Sequence, residues 1–290
     1  MKNKMRSKKI MWITLVILVL IIISVFIFLK IPYSKIKADF NSASTTFMKK
    51  AVPTNEIFTK EDIKDLPIPV KKYFNYCGFI GTRKMSYMKA TFKNVTFKTG
   101  KDKPTLSIDY TQYNFASKPD RIAFIDSSMF GIPFQGFDSY LNGVGSMKGV
   151  VAKFYTMFDQ RGEAMDKASL VTYLAECFIV PSVVLQDYIT WEAIDETHAK
   201  ATISYYGISA SGIFTFNDNG EMVSFTTNDR VATETDGTTK KVQWTAICSD
   251  YKESNGIKKP TILKAIWHYN EGDQVYFNGD EIQIDYDYNM

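Results

Sequence analysis

The sequence predicts an α+β protein, mainly antiparallel β: a curved, half-barrel-like sheet with a helix across its concave face, preceded by a separate N-terminal transmembrane helix. Three observations carry this expectation. An uncharged run, "IMWITLVILVLIIISVFIFL", fills positions 10–29. From Lys84 onward, segments with an apolar period of two alternate with short turn-like stretches. Between two such sets of strands, "LVTYLAECFIVP" at 170–181 switches to a period near 3.6.

The apolar run comes first along the chain. At ~1.5 Å per residue, 20 residues span the ~30 Å hydrocarbon core of a bilayer. A secretory signal has an apolar stretch of only ~7–15 residues and ends at a small-residue cleavage site, whereas this run ends in "SVFIFLKIPYSK". An uncleaved anchor is therefore expected over 10–29. Lys2, Lys4, Arg6, Lys8 and Lys9 precede it, and basic flanks stay on the cytoplasmic side. Residues 1–9 are thus expected as a cytoplasmic tip, with the chain from about Lys30 outside the cell. Five of the 35 basic residues belong to that tip, leaving 30 against 31 acidic ones, a net of −1 for the exported part. A near-neutral domain lacks the basic footprint that nucleic-acid binding requires.

Residues 30–60 mix Ser, Thr, Asn and Lys without a sustained period, which suggests a linker or stalk, with the folded domain running over 61–290. In "LPIPVKKYFNYCG", Pro67 and Pro69 open a helix whose Val70, Tyr73, Phe74 and Cys77 share a face before Gly78 stops it. Strands follow, with turns expected at "KTGKDKP", "SKPD", Asn142-Gly143, Asp218-Asn219-Gly220, Asp236-Gly237, Asn255-Gly256 and Glu271-Gly272. The total should be roughly eight to twelve antiparallel strands. The last alternates Ile282, Ile284, Tyr286 and Tyr288 with Gln283, Asp285 and Asp287, so one of its faces is buried.

The central helix is expected over 166–180, with Asp166 as N-cap and Pro181 as terminator. Leu170, Tyr173, Leu174, Cys177 and Phe178 follow the i, i+3, i+4, i+7, i+8 template, while Ser169, Thr172 and Glu176 fall on the other side, the expected solvent face. An isolated helix of this length is marginal, so its apolar stripe must lie on the concave face of the sheet. If that interface encloses a cavity, Leu170, Tyr173, Leu174, Cys177, Phe178 and Trp191 are the expected ligand-binding residues.

Catalytic signatures are absent from the sequence. His198 and His268 have no nucleophile motif beside them, and "GISASG" at 207–212 has the wrong spacing for a nucleophile elbow. "GVGSMKG" at 143–149 fits neither a dinucleotide nor a Walker loop. Cys77, Cys177 and Cys248 lack metal or redox spacing and suit core packing, with one disulfide left open. Asp138 and Glu176 are the carboxylates an acid-base mechanism would draw on. No catalytic residue, metal or cofactor is expected.

The succession "LPIPVKKYF…G" at 66–78, "GFDSYLNGVGSM" at 136–147, "LVTYLAECFIVPSVVL" at 170–185 and "WEAID" at 191–195 resembles an uncharacterised family of bacterial proteins of unknown function. That family brings no catalytic residue with it. At the level of fold alone, a curved antiparallel sheet around a helix resembles the half-barrels of bacterial lipoprotein and lipid carriers, which implies an apolar cavity able to hold an acyl chain. The favoured reading is a single-pass, extracytoplasmic protein that binds or shields a lipid or other amphiphile near the outer leaflet. A cell-envelope hydrolase using carboxylates and an envelope protein-interaction module stay open beside it.

Overall fold

The computed structural model describes residues 2–100, 104–233 and 237–289. Helix α1 covers Lys2–Lys30 and is the one helix among the described residues long and apolar enough to cross a membrane. The chain then turns through Ser34, whose hydroxyl accepts from the Lys37 amide at 3.3 Å and caps α2, Lys35–Lys50. Part of the stretch over 30–60, read from the sequence as a linker or stalk, is thus helical. Ile36, Phe40 and Phe47 of α2 lie at helical spacing and pack against Phe115, Ile122 and Phe124 of the sheet. Helix α3, Ile68–Tyr76, forms as expected with Pro67 at its N-cap, and Gly78 after it takes φ +78°. A side chain at 78 would strike the carbonyl oxygen of Gly256, so only glycine fits that approach.

Strands β1 (Tyr87–Lys98), β2 (Thr105–Phe115), β3 (Arg121–Met129), β4 (Ile132–Leu141), β5 (Val144–Val151) and β6 (Tyr155–Gln160) form a meander. Helix α4, Glu163–Ala175, follows, and two short 3-10 turns carry the chain through Pro181. The second half contains β7 (Ile189–Ala193), β8 (His198–Tyr205), β9 (Ile208–Phe216), β10 (Met222–Thr227), β11 (Val231–Thr233), β12 (Thr239–Lys241), β13 (Gln243–Ser254), β14 (Ile257–Tyr269), β15 (Gly272–Gly279) and β16 (Gln283–Tyr286). The main sheet has fourteen strands, more than the eight to twelve expected, with β11 and β12 forming a separate ribbon. Every pairing among the described strands is antiparallel. Asn142-Gly143 and Asn255-Gly256 both adopt positive φ and form two-residue hairpins. The turns expected at Lys98–Pro104 and Asp236-Gly237 lie partly outside the described residues.

The sheet order runs β6-β5-β4-β3-β2-β1-β15-β14-β13-β10-β9-β8-β7, so β4 and β5 lie near one end and β8 and β9 near the other. Helix α4 packs on all four. A single helix touches both ends only if the sheet bends around it. The Tyr206 ring of the β8–β9 turn also rests on Gly143 of the β4–β5 turn, where a side chain would clash. The sheet is thus an open half-barrel with α4 across its concave face, and α2 covers part of its outer face.

The helix begins earlier and ends sooner than expected. Gly162 precedes its first turn and supplies no side-chain cap, so Asp166 is not the N-cap. Its carboxylate instead accepts from the Gly145 amide of β5 at 2.7 Å, tying the helix to the sheet. After Ala175 the backbone tightens into 3-10 geometry, so the α-helix stops five residues short of 180.

Candidate functional site

Inside the half-barrel, α4 presents two stripes with different neighbours. Leu170, Leu174 and Phe178 are fully buried and point inward as expected. Around them the core is tightly packed: Phe178 lies on Tyr73, Phe214, Phe216 and Trp191 at ring distances of 4.7–5.7 Å. The Tyr173 hydroxyl donates to the Phe115 carbonyl at 2.6 Å, and the Trp191 indole donates to the Val184 carbonyl at 3.1 Å. Leu170, Tyr173, Leu174, Cys177, Phe178 and Trp191 therefore form a packed core, and none of the six lines the cavity of about 240 Å³ that α4 also borders.

The cavity lies on the other stripe. Met165, Ala168, Ser169, Thr172, Ala175, Glu176 and Ile179 recur at helical spacing and form one wall of a space of about 240 Å³. Facing them are Phe92 and Phe97 of β1, Phe158 of β6, Trp244 of β13, Trp267 of β14 and Phe277 of β15. The helix face expected in solvent is thus enclosed, because the sheet reaches round both of its sides. The small residues Ala168, Ser169, Thr172 and Ala175 keep the backbone of α4 near that wall without filling the space.

A charged cluster lies at one end of the cavity. Tyr110, Gln112 and Asn114 alternate along β2 and so share the concave face. Arg121 of β3 stands opposite Asn114, and its side chain reaches Tyr110 on one neighbouring strand and Asp138 on the other. The guanidinium donates to Glu176 Oε2 from Nε at 2.8 Å, to Asp138 Oδ2 from Nη1 at 2.7 Å and to the Tyr110 hydroxyl from Nη2 at 2.6 Å. Gln112 Nε2 and Asn114 Nδ2 also donate to Glu176 Oε2, at 2.8 and 2.9 Å. Glu176 is therefore the acceptor at the centre of a largely buried network, itself 17% exposed, not the solvated residue its helical position suggested. Arg121 is 4% exposed. Burial opposes its charge, but Glu176, Tyr110 and Asp138 outweigh that and hold its pKa well above the ordinary value.

Arg230 is another cation in the wall. Its guanidinium lies over Trp244 and Trp267, 4.6 and 5.4 Å from the ring centres, and donates to Thr172 Oγ1 at 2.6 Å. Its Nε is buried without a partner. A buried donor with no acceptor is costly, and an acceptor on a bound molecule would satisfy it.

Both candidate acids meet here, each accepting from the one guanidinium of Arg121. Among the described residues no group of three or more His, Cys, Asp or Glu side chains forms a candidate metal site. His198 pairs with Asp195 at 2.9 Å, and His268 bridges Asp273 and Thr245 at 2.7 and 2.8 Å, both away from the cavity lining.

All three cysteines are free and buried. Burial pushes the Cys77 thiol up to about 12 and the Cys177 and Cys248 thiols upward as well. Because the thiolate is the reactive form, iodoacetamide at pH 8 should leave the folded protein unmodified and add three groups after unfolding, read by intact mass. Labelling of any cysteine in the folded state would contradict this burial.

The family model of DUF6544, described as a family of unknown function, matches residues 56–279, and the chain belongs to that family. No curated protein matches it. Among solved structures, a domain assigned to outer membrane lipoprotein sorting from Vibrio parahaemolyticus is 10% identical, covering 69% of this chain and 86% of its own at a TM-score of 0.40. A LolA superfamily protein from Nitrosomonas europaea is 9% identical, covering 74% and 92% at 0.36. A DUF1329 family protein from Desulfovibrio piger is 11% identical, covering 77% and 95% at 0.31. These likenesses are too slight to say anything of function.

Proposed function

We propose that this member of the DUF6544 family is a membrane-anchored protein that holds the apolar part of an amphiphile between α4 and the concave face of its sheet. The observation that carries the reading is the cavity itself, about 240 Å³ walled by aromatic rings and ended by a charged cluster. An apolar void of ~150 Å³ accepts a molecule the size of benzene, and drug-sized ligands occupy ~300–1,000 Å³. The space therefore suits one short chain segment rather than a whole two-chain lipid. Arg230 Nε, buried in the wall without a partner, offers itself to an acceptor on the ligand.

No residue of α1 belongs to either hydrophobic core, so residues 31–290 keep both cores whole. Made without detergent, that domain should carry a co-purified amphiphile visible by native mass spectrometry. A domain that emerges empty and fails to take up a dansyl-labelled fatty acid would sink the binding reading.

In this reading α1 crosses the cytoplasmic membrane with residues 1–9 inside. Protease added to intact cells with a permeabilised wall should remove the chain beyond Lys30 while leaving α1 behind. Full protection would reverse the orientation, and a shortened soluble form would make the apolar run a cleaved signal.

A further inference from the structure

The β3–β4 and β5–β6 hairpin tips carry apolar side chains with no work to do in the fold. Phe130 is 98% exposed and Phe154 74%, with Met129, Ile132 and Tyr155 exposed beside them. The two tips adjoin, since the Ala152 amide donates to the Pro133 carbonyl at 2.8 Å. Phe130 also sits at φ +52°, in the first place of a Phe-Gly turn where the β4–β5 and β13–β14 hairpins use Asn-Gly. Tyr206 holds the same conformation, but its ring packs on Tyr205 and Gly143. The strain at Phe130 has no such return within the molecule.

These tips stand beside the end of α1. The Phe154 ring lies 6.4 Å from Phe28, and Lys153 Nζ donates to the carbonyls of Phe28, at 3.1 Å, and Ile31. Phe28 is two residues before Lys30, only ~3 Å along the helix axis from the end of the apolar run. If α1 spans the bilayer, Phe154 is held at the level where aromatic side chains anchor proteins in the interface, and Lys153 at the level of anionic headgroups.

We propose that Phe130 and Phe154 insert into the outer lipid leaflet beside α1, docking this rim of the half-barrel on the membrane. The inference rests on the reading of α1 as a membrane anchor. The same rim carries Thr99 and Gly100 of the β1–β2 hairpin, which line the cavity, so docking holds the cavity next to a source of amphiphile.

The test uses the full chain in phosphatidylglycerol–phosphatidylcholine vesicles. Its buried native cysteines stay unlabelled, so Phe130→Cys, Phe154→Cys, Ile17→Cys and Ser117→Cys each take one spin label. Ser117 lies at the far end of β3 from Phe130, ~30 Å away at ~3.4 Å per residue. Labels at 130 and 154 should show oxygen-to-nickel collision ratios several-fold above that at 117 and approaching that at 17. Water-like ratios at 130 and 154 with a lipid-like ratio at 17 would overturn the docking and leave the anchor standing. A water-like ratio at 17 would remove the anchor, and the docking with it.

Discussion

Arg121→Met should lower the unfolding free energy of residues 31–290 by about 3–5 kcal/mol, the loss typical when one partner of a buried ion pair is removed. The substitution preserves much of the side chain's length, so lost packing is a minor part of the effect. What remains is two carboxylates, Asp138 and Glu176, facing each other across a space from which the cation has gone. Gln112 and Asn114 still donate to Glu176, but Asp138 loses its guanidinium donor. The triple variant Arg121→Met/Asp138→Asn/Glu176→Gln should recover most of the loss, because neutral amides carry no uncompensated charge. Urea denaturation followed by tryptophan fluorescence measures both. A single-variant loss below about 1 kcal/mol would mean the cluster is effectively solvated, since exposed pairs contribute that little.

What was legible in the sequence was local. The 170–178 stripe, the Pro-initiated helix ending at Gly78 and the Asn-Gly hairpins each follow from a few adjacent residues whose preferences agree. Helix α2 was harder to see because "NSASTT" interrupts it with weak helix formers, although Ile36, Phe40 and Phe47 keep the spacing. It forms because its apolar face finds Phe115, Ile122 and Phe124, three strand residues at least 65 positions later in the chain. No window of sequence contains that partner.

The cavity was hidden for a related reason. Ser169, Thr172 and Glu176 on a helix read as a wetted face unless something distant covers them. Here the covering is a sheet whose two ends both reach α4, a property of long-range pairing and accumulated twist. One signal did exist in β2. Gln112 and Asn114 alternate with Thr111 and Tyr113, and Tyr113 packs outward on Phe40 of α2 while the amides point inward. Buried amides on a strand demand partners, and Arg121 and Glu176 are the charged groups that meet the demand. The chemistry was in the sequence, but the face it occupies was not.

The two stripes of α4 give the second large expected effect. Ala168→Phe places a ring in the cavity, where it should expel the amphiphile while stability holds or rises by up to about 2 kcal/mol, as cavity-filling changes do. Burial of about six methylenes contributes roughly 5 kcal/mol at about 0.8 each, so their exclusion should abolish detectable binding rather than weaken it. Leu174→Trp sits six residues on but on the opposite stripe, where Leu174 is fully buried, and should cost about 1–3 kcal/mol through overpacking. It should leave binding intact in the molecules that remain folded. Native mass spectrometry of the two variants beside the unaltered domain, with urea midpoints for each, separates the cases. If Ala168→Phe retained the amphiphile, the ligand would lie elsewhere; if Leu174→Trp removed it without loss of stability, the apolar stripe would be the binding face after all.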